Sequence, residues 1–281
     1  MKGKTLFWVM IIIGLFIFTA CQPQQFKTTL FRPFENTSIL GPRAMAWDGR
    51  DLVIGSLNQT IAVRDIKTRW YYTAQQKMDP ANYYSHSRFP TQLTNGASIC
   101  GMAWEGDCCE YGYLWVADIG NKKITKFDFN FNKLLSFPSP GPGPSGMTFD
   151  GTNLWVADEV DGNIYKISLA DGTVLETYRS PIQYPTGLAW DGLNLWVIGM
   201  ASTKRSQKSN VKPSLVKMSF KDGVINERLV LPKEISRPGS LEWVDGVFWV
   251  GDQTTNMVFK LWRSHAVLID EGAIKKIERV M

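Results

Sequence analysis

Two histidines, His86 and His265, are all the imidazole in 281 residues, and neither falls at a position that the rest of the chain repeats. A histidine-centred triad or a His-rich metal centre has little to be built from. Cysteine is as scarce, with only Cys21, Cys100, Cys108 and Cys109. An adjacent pair lacks zinc-ligand spacing, and one further cysteine cannot complete such a site, so a structural metal is not expected. Long apolar runs are missing too. The longest, Leu6 to Phe18, falls short of the about twenty residues that a spanning helix needs. The net charge of +5, with a pI near 8.9, is only mildly basic. Part of it sits in one loop and no nucleic-acid motif accompanies it, so nucleic acid is not an expected partner.

What is present is a phrase that recurs five times. Its copies are Met45–Gly49 (MAWDG), Met102–Gly106 (MAWEG), Met147–Gly151 (MTFDG), Leu188–Gly192 (LAWDG) and the looser Leu241–Gly246 (LEWVDG). Each precedes a short apolar run: Leu52–Ile54, Leu114–Val116, Leu154–Val156, Leu195–Val197 and Phe248–Val250. Successive copies begin 57, 45, 41 and 53 residues apart. A drifting period in the forties, built of short strands, is the signature of a β-propeller.

Each repeat reads as four strands. Strand A carries the small-apolar-Trp phrase, and Asp-Gly makes the hairpin turn, since glycine supplies positive φ and aspartate tolerates the left-handed region. Strand B is the Leu-Trp-Val run. Strand C alternates, as in Ile124-Thr-Lys-Phe127 and Ile164-Tyr-Lys-Ile167, the period of a half-buried strand. Strand D follows a second turn such as Asp171-Gly172. Proline-rich links, of which residues 138–144 are the densest, mark crossings between blades because proline cannot serve a central strand. The expected fold is all-β, a single propeller of five or six four-stranded blades over residues 41–281. A sixth blade would draw on Ala266–Ile269, Ala273–Val280 and Phe26–Phe34. Pairing N- and C-terminal strands would remove exposed edges. Eight tryptophans, four in A strands and four in B strands, are expected to pack between blades.

The run Pro-x-Gly-Leu-Ala-Trp-Asp-Gly, then Leu-Trp-Val-Ala-Asp and Ile-x-Lys, resembles the NHL-type and gluconolactonase/virginiamycin-lyase-like propellers over roughly residues 41–262. The gluconolactonase resemblance implies a metal held by carboxylates and an amide at the propeller mouth. The virginiamycin-lyase resemblance implies catalysis by histidine and glutamate there. Fold alone does not choose among these.

Lys2 and Lys4, the apolar run and Phe18-Thr19-Ala20-Cys21 resemble a bacterial lipoprotein signal, in a tripartite pattern of charge, apolar core and small-residue cleavage site. Phe18 departs from the usual leucine. The resemblance implies a signal peptide over residues 1–20 and a lipid on Cys21, then a tether and possible closing strand over 21–40. The mature protein would then be a membrane-anchored lipoprotein of the cell envelope, facing periplasm or exterior. With Gln22 after the cysteine, an outer-membrane address is implied if the organism is Gram-negative. Cys100, beginning an A strand, is expected to be a buried small apolar residue. Cys108 and Cys109 are either a vicinal disulfide or two free thiols in the following turn.

Two oversized loops, 75–98 as a D-to-A link and 200–213 as a B-to-C link, are expected on one face. Rigid scaffold with large loops on one rim is where binding residues gather. The candidates there are Tyr83, Tyr84, His86, Arg88 and Phe89 in the first loop, and Lys204, Arg205, Lys208 and Lys212 in the second. Asp118, Asp158 and Asp252 end B strands at equivalent positions. They would suit Ca²⁺ if they converge, but repetition in step with the blade favours Asx turns. No cofactor other than that Ca²⁺ is expected, and no catalytic set can be isolated. The leading expectation is a lipid-anchored interaction platform for a protein or envelope polymer, acting through its D–A and B–C face. The alternative is a metal-dependent hydrolase or lyase, lactonase-like, with its site at the propeller mouth.

Overall fold

A computed structural model of the protein describes residues 26–31, 41–49, 51–55, 60–64, 98–106, 111–128, 130–200, 213–218 and 225–263. Every regular element among them is a β-strand. After β1 (Phe26–Phe31) come β2 (Ala44–Trp47), β3 (Asp51–Gly55) and β4 (Thr60–Arg64). The next repeat holds β5 (Ile99–Glu105), β6 (Tyr113–Asp118), β7 (Lys123–Phe127) and β8 (Lys133–Pro138). The third holds β9 (Pro144–Phe149), β10 (Leu154–Asp158), β11 (Asn163–Ile167) and β12 (Val174–Arg179). The fourth holds β13 (Tyr184–Trp190), β14 (Leu195–Met200), β15 (Ser214–Met218) and β16 (Ile225–Val230), and the last holds β17 (Pro238–Val244), β18 (Val247–Asp252) and β19 (Met257–Arg263). The chain divides into a large compact unit, Thr28–Trp262, and a second made of 1–27 with 263–281. Nearly all of the second lies outside the described residues.

These strands form four four-stranded sheets and one three-stranded sheet, β2-β3-β4, in a propeller arrangement. The A strands β2, β5, β9, β13 and β17 each neighbour the next, and β17 also neighbours β2, so five inner strands close a circle. The last sheet runs β1-β19-β18-β17. The N-terminal strand therefore supplies the outer edge of the fifth sheet and does not begin a sixth. The other segments considered for a sixth blade lie outside the described residues.

Local chemistry explains the repeat. The glycines of all five A–B turns, Gly49, Gly106, Gly151, Gly192 and Gly246, have φ between +84° and +134°, where a side chain is disfavoured. Preceding aspartates brace the turns: Asp150 accepts the Thr152 and Asn153 backbone N–H groups at 2.8 and 2.7 Å. Asp191 does the same for Leu193 and Asn194 at 2.9 and 2.7 Å. The free carboxylate oxygen takes the indole N–H of the blade's B-strand tryptophan, Trp155 to Asp150 and Trp196 to Asp191, both at 2.7 Å. In the second blade Glu105 takes Trp115 at 2.6 Å. On the ladder, Trp115, Trp155, Trp196 and Trp249 lie opposite Lys126, Lys166, Lys217 and Lys260. Each ammonium sits 5.2 to 5.7 Å from its indole, within cation–π range. The Ile-x-Lys of strand C is thus a lid on the tryptophan of strand B.

The core is divided among the gaps between blades. B-strand residues alternate between the two gaps: Leu154 and Val156 pack with Trp115 and Ile124 of the second blade, while Trp155 and Ala157 pack with Leu188 and Val197 of the fourth. Trp249 of the fifth blade packs with Met45, Leu52 and Ile54 of the first, closing the ring apolar face to apolar face.

Near the axis the A strands approach too closely for side chains. A Cβ on Gly146 would stand 2.5 Å from the Gly187 Cα, and one on Gly187 would stand 2.7 Å from the Leu241 nitrogen. The residues beside these glycines latch one blade to the next by hydrogen bonds to proline carbonyls. Cys100 reaches Pro144 at 2.8 Å, Ser145 reaches Pro185 at 2.7 Å, Thr186 reaches Pro238 at 2.8 Å and Ser240 reaches Pro42 at 3.1 Å. Cys100 is buried and unpaired. Its thiol, which also reaches the Ala117 carbonyl at 3.3 Å, fills a hydroxyl's place in the latch. Burial, and then Glu159, pushes its pKa far up, which keeps the thiol protonated and unreactive.

Candidate functional site

The aromatic at or next to the end of each A strand has a different fate from the B-strand tryptophan. Trp115, Trp155 and Trp249 are among the most fully buried side chains, whereas Trp47, Trp104, Phe149, Trp190 and Trp243 are each half-buried. Those five, one per blade, line a cavity of about 460 Å³ that opens among the A–B turns. The expectation that all eight tryptophans pack between blades is corrected for the A strands. Trp47, Trp104 and Trp190 pack against the core between blades and also wall the mouth. The cause is position: the aromatic lies at or next to the end of the innermost strand, close to the A–B turn.

At mid-height the axis is filled by the residues two before the aromatics, Met45, Met102, Met147, Leu188 and Leu241, all at most 2% exposed. Toward the other face the axial space is only about 10 Å³. The mouth is a cup far larger than that space.

Inside it stands Glu242. Across the A–B ladder Glu242 faces Trp249, and the equivalent residues facing Trp115, Trp155 and Trp196 are Ala103, Thr148 and Ala189. A carboxylate thus occupies a position that is small elsewhere. It accepts the Trp243 backbone N–H at 3.0 Å. Burial pushes its pKa up to about 8, a rise that the Trp243 and Trp47 backbones only partly oppose. Solvent meets this side chain through the cup, but protein atoms surround it closely enough for desolvation to dominate. The second carboxylate on the wall, Glu105, is neutralised by Lys126 at 2.8 Å and by the Trp115 indole. Among the described residues, no lysine, arginine or histidine lines the cup. The Trp104 indole N–H is buried with no partner among the described residues.

Cys21, Tyr83, Tyr84, His86, Arg88, Phe89, Lys204, Arg205, Lys208 and Lys212 all fall outside the described residues, as do Cys108 and Cys109. Asp118, Asp158 and Asp252 are described, and each caps its own B–C turn. Asp158 accepts Val160, Asp161 and Gly143 backbone N–H groups at 2.9, 3.0 and 2.7 Å. Asp252 accepts Thr254, Thr255, Ser236 and Arg237 at 2.6 to 3.0 Å. Asp118 accepts Asn121 and Ser98 at 3.2 Å. Among the described residues, no three His, Cys, Asp or Glu side chains stand close enough together to hold a metal ion.

The described cup thus opens on the A–B face, opposite the face expected to carry the two long loops. Sequence reasoning missed Glu242 there. The signal was available, since Leu241-Glu-Trp243 breaks the small-residue-before-aromatic rule of the other four copies.

No family model and no curated protein matches this chain. Solved structures do. A glutaminyl cyclase from Myxococcus xanthus aligns with a TM-score of 0.56 at 7% identity, covering 86% of this chain and 99% of that one. A catalytically inactive virginiamycin B lyase from Staphylococcus aureus with quinupristin gives 0.45 at 16% identity, covering 79% of this chain and 66% of that one. The WD40 propeller domain of Doa1 gives 0.49 at 14%, covering 79% and 64%. This chain therefore spans slightly under two thirds of the last two. At these identities the likeness is one of fold. The chain is a β-propeller.

Proposed function

We propose that the protein is a small-ligand binding module of the cell envelope, with the aromatic cup as its binding site. The observation that carries this is the cup itself: a preformed concavity of about 460 Å³ walled by one aromatic from each blade. Binding sites for small molecules fall in this size range and combine apolar walls with a few placed polar groups. Five inner strands fix the aromatics on rigid backbone, so little ordering is left for a ligand to impose. Ligand-observed NMR of a fragment set tests the reading. Fragments should bind the wild-type protein, compete with one another and lose binding in Trp190→Ala. Hits indifferent to Trp190→Ala but lost when residues 77–95 are shortened would return the function to the opposite face and its loops.

The proposal includes the lipid anchor on Cys21, supported by the sequence pattern before it. Cys21→Ser should abolish metabolic labelling with a fatty acid and release the protein from membranes. Full membrane retention with an uncleaved N-terminus would show an ordinary anchor instead.

One observation favours catalysis as a second reading. A carboxyl with its pKa raised to about 8 in a concave pocket is poised to give and take protons near neutral pH. The glutaminyl cyclase neighbour suggests the first substrate to assay, a peptide with N-terminal glutamine. Ammonia release that disappears in Glu242→Gln would favour this reading, and no release would remove that substrate class.

A further inference from the structure

We infer that the ligand of the cup carries an organic ammonium group, an alkylated nitrogen cation, held over the aromatic faces with Glu242 as its counter-ion. The inference rests on the reading of the cup as a binding site and names the chemistry of its occupant.

Three features of the site select that chemistry. The first is the wall. Trp47, Trp104, Phe149, Trp190 and Trp243 enclose one space from five directions, and an aromatic face carries the negative part of the ring quadrupole. Rings around one space make an apolar ligand welcome, and wherever a face is turned inward it attracts a cation more strongly. Caged aromatics are a solution to binding alkylated ammonium groups, whose charge is spread under a layer of CH bonds.

The second is the sign of charge. Both ionisable residues on the wall are acidic, and no basic side chain lines it. Glu105 is already matched by Lys126 and the Trp115 indole. Glu242 has hydrogen bonds from backbone N–H groups, and among the described residues no ion pair forms with it. Clefts lined by one sign of charge focus the opposite sign. Among the described residues lining the cup, an anionic ligand would meet no basic side chain.

The third is position. Glu242 replaces the Ala or Thr that faces the B-strand tryptophan in three other blades. A carboxylate placed there costs stability by desolvation unless a cation relieves it. The same repeat shows that this protein already stacks cations on indoles, with four lysines at 5.2 to 5.7 Å from B-strand tryptophans. A small hydrated metal ion is a poor alternative, because five hydrocarbon faces cannot replace its water shell and three ligating side chains do not converge here.

The test uses the soluble protein beginning after Cys21, monitored by tryptophan fluorescence and calorimetry. The probes are choline, tetramethylammonium and 3,3-dimethyl-1-butanol, the neutral carbon analogue of choline. Choline and tetramethylammonium should bind, the neutral analogue at least about tenfold more weakly, as expected when cation–π attraction is removed. At pH 9, where the Glu242 carboxyl is ionised, Glu242→Gln, which keeps the shape, should weaken choline by about tenfold or more while leaving the neutral analogue unchanged. A parallel flotation assay with phosphatidylcholine vesicles separates the sources. Choline binding without flotation identifies a free ammonium compound, and flotation lost in Glu242→Gln identifies a lipid headgroup. Equal binding of choline and its neutral analogue would overturn the ammonium inference and leave the cup as a binding site. Absence of choline and tetramethylammonium binding would also overturn it, and the fragment screen above would then decide separately whether the cup binds anything.

Discussion

Replacing Trp155 by alanine is expected to remove about 3–5 kcal/mol of folding stability, the range for deleting a buried large aromatic. Trp155 is 2% exposed. It enters the gap toward the fourth blade beside Leu188, Leu195 and Val197, donates its indole N–H to Asp150 at 2.7 Å and carries Lys166 over its face. Its partner would not be stranded, because Asp150 keeps the Thr152 and Asn153 amides. The loss is therefore mostly that of packing and of the cavity left behind. Domains of this kind are stable by only about 5–15 kcal/mol, so the change takes a large share. Urea unfolding of the two proteins measures it. A loss below about 1 kcal/mol would show that the gap between these blades is not the packed interface described here.

The second large effect is on pH dependence. Glu242 has its carboxyl raised from an ordinary 4.5 to about 8 by burial. A raised carboxyl favours the folded state while protonated, so its contribution is fully present below about pH 4.5 and is lost as pH rises toward 8. The interval corresponds to at most about 5 kcal/mol at 1.36 kcal/mol per pH unit. Because water enters through the cup, a figure on the order of 3 kcal/mol is the expectation. Glu242→Gln should therefore match wild type near pH 5 and exceed it in stability by that amount at pH 9. The difference between the two proteins matters here, since the other carboxylates titrate in both. Equal stability across the range would mean that Glu242 is as well solvated as a surface glutamate.

Much of this architecture was legible in the sequence, because a propeller repeats its chemistry. Met-Ala-Trp-Asp-Gly and Leu-Trp-Val specify a hairpin, and both halves can be read locally: glycine for positive φ, alternation for burial on both faces. The link between Asp150 and Trp155, or Asp191 and Trp196, lies within five residues and recurs in step with the blades. Long-range features were not legible. Nothing in Phe26–Phe31 says that it adds to β19 and not to a sixth blade, since an edge strand contributes backbone hydrogen bonds that any sequence can make.

The site was less legible than the fold, for a geometric reason. Trp47 and Trp155 obey the same composition rule, but one ends the innermost strand beside the mouth and the other lies near the start of the next strand out, buried between blades. Sequence periodicity sees two tryptophans per repeat and cannot say which will meet solvent. It also directed attention to the loops, whose length is conspicuous, and away from the mouth, whose residues are regular. Glu242 shows what the pattern does reveal: a single charged residue breaking a five-fold rule marks the place where packing alone does not explain the choice. The aspartates at 118, 158 and 252 show the converse, since regular repetition in step with the blade accompanies turn caps in all three.

The most direct measurement of the account is a carboxyl ¹³C NMR titration of the glutamate side chains, with the Glu242→Gln spectrum assigning the resonance. A buried carboxyl within an aromatic cup predicts a Glu242 midpoint near 8. A midpoint near the ordinary 4.5 would contradict it, and would mean that the cup is open, well hydrated and not the enclosed site described here.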